Sequence, residues 1–372
     1  MYDPARDTWQ ESPPRPSSLP KKPNLDAEEE KAVDSKNGSK NESKSGTPVS
    51  SRAPSEVPSI RDSSADGSFS RKQENGGETD KYAVRQHYNS RPNNSTQERK
   101  KSTIFGVRSF NNFVKSLLID MYSRPHDVAL DLGCGKGGDL LKWLKAGIDG
   151  LIGVDIADIS IEHAKDRFAH MRSKCFWVDF CVGDPFLDRL EDIVHPDAFP
   201  VDVVSCQFAF HYAFETEERL RNALANISRV LKRGGKFIGT IPDSEQLVRN
   251  LKLGKKQWGN SIYRISFEEA NPTGTFETLW GNRYMFHLTE AVEDVPEYVV
   301  PFEGFVKLAQ EYNLKLERHQ TFMKFFHQAV RDRDVKKVAE DSKILNRDGT
   351  FAIGEEQLEA CAVYAVFAFE KV

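Results

Sequence analysis

The chain has 372 residues, a formal net charge of −4 and five cysteines, which allows one large domain with a tail or two domains. A near-neutral charge excludes a broadly basic nucleic-acid binder, so any such role must rest on a local patch. Cys134, Cys175, Cys181, Cys206 and Cys361 form no C-x-x-C pair, which argues against structural zinc and for a reducing compartment; with no apolar run of membrane-spanning length and no hydrophobic signal region, a soluble intracellular chain without a membrane partner is expected.

From Met1 to about Asp80 the sequence is Ser, Pro, Lys, Glu, Asn and Gly with few large apolar residues. Such a segment cannot bury enough surface to offset its ordering entropy, and a disordered polar tail over residues 1–80 is expected. Its charges are mixed, Lys21-Lys22 being followed closely by Glu28-Glu29-Glu30, so it reads as a solvated arm rather than an RNA tether. Ser12-Pro13 and Thr47-Pro48 offer phosphorylation sites if the arm serves nuclear import or docking. Order is expected from Tyr82, with His87-Tyr88-Asn89 ahead of the basic run Arg99-Lys100-Lys101. Phe110, Phe113, Val114, Leu117 and Leu118 then mark a helix with one buried face, and Asn111 and Lys115 stand beside that face at i and i+4.

Val128 to Leu132 is a short apolar run that ends in the turn Gly133-Cys134-Gly135-Lys136-Gly137-Gly138 and continues as an amphipathic segment, Asp139 to Ala146. Glycine lets such a turn take positive φ and lets a ligand touch bare backbone, while the helix start supplies unpaired N–H groups. A second apolar run, Leu151 to Val154, ends in Asp155, where a carboxylate can accept both hydroxyls of a ribose. Gly133 to Asp155 is therefore a nucleoside-binding βαβ unit. A helical period runs from Ile159 to Phe168, and strands are expected at Phe176 to Val182, Asp202 to Gln207 and Lys236 to Ile241, with a helix over Glu217 to Leu231. Strands and helices alternating at this spacing predict a doubly wound, mostly parallel α/β sheet, whose ligands bind at the carboxyl ends of the strands. Gly133, Asp155, Asp184 and Gln207 all fall at such ends. Between Pro242 and Val300 the pattern breaks into turn-rich sequence with short strands at Ile262 to Phe267 and Tyr284 to Leu288, an insertion of lid type. Phe302 to Tyr312 returns to helix, and Ala362 to Phe369 is a closing apolar strand.

Gly133, Gly135 and Gly138 satisfy G-x-G-x-x-G, which by itself suits a nicotinamide enzyme as well as any other nucleoside binder. The acid Asp131 inside the strand end, the Gly183-Asp184 end of the third strand and the Gly234-Gly235 turn into the fifth together resemble the class I S-adenosylmethionine-dependent methyltransferases. That class has a Rossmann-like sheet of seven strands with helices on both faces and an antiparallel closing strand. A dehydrogenase would also want a proton donor, and no tyrosine–lysine pair is placed for it.

A narrower resemblance rests on motifs in order: Phe-Asn-Asn-Phe-Val-Lys-Ser-Leu-Leu-Ile, Asp-Leu-Gly-Cys-Gly-Lys-Gly-Gly-Asp-Leu-Leu-Lys-Trp, Asp-Ile-Ala-Asp, Ser-Cys-Gln-Phe-Ala-Phe-His-Tyr and Val-Pro-Glu-Tyr. In spacing from Tyr82 onward they are similar to the eukaryotic mRNA cap guanine-N7 methyltransferases. The resemblance implies that Lys115 and the Gly133 backbone hold the methionine end of S-adenosylmethionine, Asp155 the ribose and Asp184 the adenine, with Gln207 and Tyr212 closing the pocket. It implies a cap site in which Asn111 and Asn112 line the entrance, Phe208 stacks on guanine, His211 and Glu297 bond the base edge, and Pro242 and Tyr364 form walls. Lys136, Lys142 and Arg167 would meet the triphosphate. Phe113 departs from the family's usual Trp but keeps the apolar face. The implied partner is GpppN-capped RNA, the implied location the nucleus, and the tail would contact other capping enzymes or the transcription machinery; a monomer is the default.

Residue chemistry agrees. A carboxylate such as Glu297 can accept from guanine N1–H and the amino group together, which adenine cannot offer. Guanine N7 carries a lone pair and no proton, so methyl transfer from a sulfonium needs neither metal nor general base. Catalysis then rests on alignment, with Phe208, His211, Tyr212 and Glu297 as positioning groups. Methylation of another nucleobase or a small molecule, and cap binding without catalysis, are the competing readings.

Overall fold

The computed structural model describes residues 77–91 and 101–372, and the paired dipeptides Tyr2–Asp3 and Thr8–Trp9, which run antiparallel with Tyr2 opposite Trp9. Most of the polar tail, including Ser12-Pro13 and Thr47-Pro48, lies outside the described residues, as do Arg99 and Lys100. Helix α1 (Gly77–Ser90) begins inside the stretch read as tail, and Asp80 on it pairs with Arg283 at 2.7 Å. Helix α2 (Phe105–Tyr122) follows, burying Val107, Phe110, Phe113, Val114, Leu118 and Ile119.

The main sheet alternates with helices: β1 (Val128–Leu132), α3 (Leu140–Ala146), β2 (Gly150–Asp155), α4 (Asp158–Ala169), β3 (Trp177–Val182), β4 (Val201–Gln207), α5 (Glu217–Val230) and β5 (Leu231–Pro242). A second stretch holds α6 (Ser244–Lys252), β6 (Gln257–Gly259), β7 (Tyr263–Ser266), β8 (Arg283–Leu288) and β9 (Val292–Tyr298). The chain ends through α7 (Phe302–Glu311), β10 (Leu314–Thr321), α8 (Phe322–Ala329), α9 (Arg333–Asp341), α10 (Glu355–Cys361) and β11 (Tyr364–Lys371). The seven-stranded sheet has the order β10-β11-β5-β4-β1-β2-β3. Its strands are parallel except for β11, which runs antiparallel between β5 and β10. This is the doubly wound, mostly parallel sheet that the alternating pattern predicts, with the seven strands and antiparallel closing strand that the resemblance to the class I methyltransferases implies.

The strand period of two sorts the core into two halves. Ala129, Leu151, Val203, Ile238 and Val366 belong to one apolar cluster, and their neighbours Leu130, Ile152, Val204, Phe237 and Phe367 to the other. The first cluster takes in α2 and α3, the second α5 and α7. Strands covered on both faces read as continuous apolar runs, which is why β1, β2 and β4 are plain in the sequence. Asp131 shares its face with Ala129 and so points toward α2 and α3, not toward α5.

The insertion after β5 forms its own antiparallel sheet, in the order β9-β8-β7-β6. Only two of its strands follow from the sequence. Gln257–Gly259 is too short to show a period, and Val292–Tyr298 mixes acids and a proline into its apolar residues. Helix α9 escapes for the opposite reason: Arg333–Asp341 is mostly charged and buries only Ala339. Among the described residues no helix is long and apolar enough to cross a membrane.

Candidate active site

The turn after β1 is held open by backbone that favours glycine, with φ of 71° at Gly133, 51° at Gly135 and 66° at Gly137. A Cβ at Gly133 would stand 2.7 Å from the Ala209 side chain, so the β1 and β4 loops approach too closely for any larger residue. The Gly135 N–H donates to Asp155 Oδ2 at 2.7 Å, and Asp155 Oδ1 accepts from Ala157 N–H at 2.8 Å. Burial raises the Asp155 carboxyl above its ordinary value, and these two N–H groups oppose that shift. Each carboxylate oxygen keeps a second lone pair for a ligand.

A cavity of about 190 Å³ opens at the carboxyl ends of β1 to β4, with Gly133, Gly135, Asp155, Asp184, Gln207 and Tyr212 on its wall. Val84 and Tyr88 of α1 and Ile156 and Phe186 supply apolar surface. Gln207 donates through Nε2 to Ser205 Oγ at 3.1 Å, while its Oε1 is buried without a partner among the described residues. Bare glycine backbone, an orphaned amide oxygen and apolar side walls fit an adenosine-bearing ligand, so the donor set suits S-adenosylmethionine. Asp184 is already engaged: Arg219 reaches its two oxygens at 2.9 and 3.4 Å, and Lys81 of α1 lies at 3.2 Å. Lys115 is not on the wall of this cavity; it pairs with Asp139 at 2.8 Å and stands 5.9 Å above the Phe208 ring.

Phe208 borders the same cavity and has φ of 59°, a left-handed conformation that costs a bulky residue energy. Its N–H is held by Thr240, through the carbonyl at 3.1 Å and Oγ1 at 2.9 Å. Tyr364 meets the Phe208 ring edge-on at 4.9 Å and Phe322 at 5.9 Å. Pro242 pairs across β5 and β11 with Tyr364, which brings both expected wall residues beside Phe208. His211, 1% exposed, and Glu297, 4% exposed, form a buried pair with Nε2 and Oε1 3.5 Å apart. Neither His211 ring nitrogen has a hydrogen-bond partner among the described residues. Tyr284 donates its hydroxyl to Glu297 Oε2 at 2.6 Å.

Asp139 collects two of the expected cations and, through one of them, Asn112. Lys115 and Lys142 both pair with its carboxylate, at 2.8 and 2.7 Å, and Lys142 donates to Asn112 Oδ1 at 2.9 Å. Burial pushes Asp139 up, but the two ammonium groups overcome it and hold the carboxyl below its ordinary value. Asp131, buried and facing Asp139, is pushed well above the ordinary range by burial first and by that charge second. One firmly ionised carboxylate against two lysines leaves positive charge beside the cavity, which suits an anionic ligand. Asn111 Oδ1 is buried without a partner among the described residues. Lys136 donates to the Arg91 carbonyl at 2.5 Å, and Arg167 to the Gly137 carbonyl at 3.4 Å, so both sit on the rim of the glycine turn.

Arg219, Lys81, Tyr88, Asp139 and Tyr284 escape sequence reasoning as members of the site. Tyr88 lies in the His-Tyr-Asn run, but nothing local shows that its hydroxyl meets that of Tyr212 at 3.3 Å. The others act through partners 13 to 103 positions away in sequence, which only the fold reveals.

Residues 70–372 match the model of the mRNA (guanine-N(7))-methyltransferase domain. The mRNA cap guanine-N(7) methyltransferase of Schizosaccharomyces pombe is 42% identical over 318 residues, covering 83% of this chain and 87% of the relative. The protein of the same name from Saccharomyces cerevisiae is 43% identical over 305 residues, covering 78% and 70%, and that from Candida glabrata is 44% identical over 305 residues, covering 78% and 73%. The chain belongs to the mRNA cap guanine-N7 methyltransferase family.

Proposed function

We propose that the cavity at the ends of β1 to β4 holds S-adenosylmethionine and that the Phe208 side of it holds the cap guanine of GpppN-ended mRNA. By family the chain is an S-adenosylmethionine-dependent mRNA guanine-N7 methyltransferase. The observation that carries the division of the site is Phe208. A large aromatic residue held at φ 59° on the wall of the donor cavity, with Tyr364 edge-on to its ring, is strain of the kind that collects at functional positions.

In this reading Asp155 accepts from the ribose hydroxyls through its free lone pairs, and Asp184, oriented by Arg219, accepts from the adenine amino group. Gln207 Oε1 and the Tyr212 hydroxyl close the pocket. The Lys115 ammonium, spanning Asp139 and the Phe208 ring, stands between the methionine end and the base. Phe208 presents its face to guanine, with Tyr364 and Pro242 as walls, Asn111 and Asn112 at the mouth, and Glu297 and His211 at the base edge. Lys142, Lys136 and Arg167 meet the triphosphate. Bound S-adenosylmethionine supplies an activated methyl whose transfer neutralises a sulfonium. The protein's part is to hold the base in line and exclude water, and it abstracts no proton because N7 has none.

The nucleus is the place where such an enzyme meets its substrate, and a single copy carries every group named here. The test is competition: GpppG and ApppG are titrated against a fluorescent cap analogue on the enzyme and on Phe208→Ala. GpppG should displace the probe at least tenfold better than ApppG, and Phe208→Ala should weaken both the probe and GpppG by a larger factor than it weakens the donor, whose cavity Phe208 only borders. Equal displacement by the two would favour another nucleobase or a small-molecule acceptor.

A further inference from the structure

The strands β8 and β9 pair so that Tyr284 stands directly opposite Glu297, which puts both side chains on one face. The phenol is 2% exposed, and its ring lies against Phe267 with centroids 5.4 Å apart, so packing fixes where its oxygen stands. We infer that Tyr284 is the positioning residue that sets the plane of the Glu297 carboxylate and so makes the site selective for the guanine amino group. This rests on the reading of Glu297 as the acceptor for the base edge.

The last torsion of a glutamate side chain is a soft, broad rotor. A free carboxylate could turn and present one oxygen at a time. The 2.6 Å bond from Tyr284 to Oε2 removes that freedom, while leaving a second lone pair on Oε2 and both on Oε1. Oε1 then faces His211 Nε2 across 3.5 Å, longer than an ordinary hydrogen bond, and both His211 nitrogens are buried without partners among the described residues. Polar atoms left open at this depth are those a ligand edge must satisfy. Guanine offers N1–H and N2–H side by side in one plane, and only a carboxylate held in that plane accepts both. Inosine keeps N1–H and lacks the amino group. Burial, reinforced by the Glu297 charge, holds the Tyr284 phenol well above its ordinary value, so the hydroxyl remains a donor across the working pH range. Tyr284 touches neither reacting atom in this arrangement; it acts through Glu297.

The experiment compares four proteins, wild type, Tyr284→Phe, Glu297→Ala and the double variant, each saturated with S-adenosylhomocysteine. Dissociation constants are measured for the dinucleotides GpppA and IpppA. Tyr284→Phe deletes one oxygen and keeps the ring, and S-adenosylhomocysteine affinity checks that the fold survives. Tyr284→Phe should weaken GpppA about tenfold, the scale of a hydrogen bond to a charged group, and IpppA less than threefold, so that guanine preference falls. In the Glu297→Ala background, removing the hydroxyl should change GpppA binding by less than twofold. Equal weakening of both dinucleotides, or a tenfold loss that persists without Glu297, would make Tyr284 a packing residue and overturn the inference. If Glu297→Ala alone left GpppA binding unchanged, the reading of Glu297 would fail and the inference with it.

Discussion

Arg219 is the buried cation on which the donor side of the site is built, and replacing it with methionine tests that role. Its side chain is 11% exposed, and it donates to Asp184 at 2.9 and 3.4 Å while Nε lies 3.2 Å from Glu215. Asp184 is 3% exposed and Glu215 9%. Methionine fills a similar volume but leaves two buried carboxylates without their shared cation. Removing one partner of a buried ion pair costs about 3–5 kcal/mol. Lys81, 3.2 Å from Asp184, remains as a partial substitute, so the lower end, about 3 kcal/mol, is expected. Against a total stability of about 5–15 kcal/mol, that is a large loss. The assay is urea unfolding at pH 7, with and without S-adenosylhomocysteine, beside Arg221→Met as control. Arg221 pairs with Glu217 at 2.7 Å, but with side chains 41% and 46% exposed, so its loss should stay within about 1 kcal/mol. Donor affinity should also fall in Arg219→Met, because Asp184 is left to turn toward Lys81. A loss below about 1 kcal/mol together with unchanged donor affinity would refute the argument.

Gly239→Ala should destabilise the fold by about 2 kcal/mol or more, since its Cβ would stand 2.4 Å from the Cys206 carbonyl and 2.5 Å from the Phe367 ring; a thermal melt unchanged within error would count against the packing described. Burial, with Lys324 adding to it, lowers the His319 ring to about 4, so the unfolded chain takes up the proton first and the stability held above pH 6.5 is lost as pH falls toward 4. The effect is about 2 kcal/mol once screening of the partly exposed ring is allowed for, and His319→Phe, stacked on Phe302 as the imidazole is at 3.5 Å, should remove that share of the difference in urea midpoint between pH 7 and 4.5. Phe208→Ala should raise the cap KM by about tenfold or more, the scale of base–aromatic stacking, and by a larger factor than it raises the donor KM in steady-state assays. Turnover should show no step near pH 7 that disappears with His211→Asn; a pH–rate profile with such a step would mean that the ring moves a proton.

The parts of this molecule that are legible in sequence are those whose signal is local. The glycine turn after β1, the acid ending β2 and the two-faced apolar strands follow from turn chemistry and period, and these alone place Gly133, Asp155, Asp184 and Gln207 at one end of the sheet. Where burial and polarity share a strand the signal fails. Val292–Tyr298 holds the buried Glu297 and Tyr298 yet reads as an acidic, proline-broken run. Helix α1 fails for a related reason: its Asp80 reads as one more solvated charge of the polar tail, while the fold pairs it with Arg283 and Tyr298. The ionic frame of the site, Arg219 on Asp184 and Asp139 between Lys115 and Lys142, depends on side chains that look like solvated charges until the fold brings them together.

The most direct test of the central claim is methyl transfer from labelled S-adenosylmethionine to RNA ending in GpppN, run beside ApppN-ended and uncapped RNA. The products are digested and the labelled position identified. Label at N7 of the cap guanine, and none on the other two RNAs, is the predicted result. Label on another atom, or equal label on all three RNAs, would leave the donor cavity standing and contradict the cap site built around Phe208, His211 and Glu297.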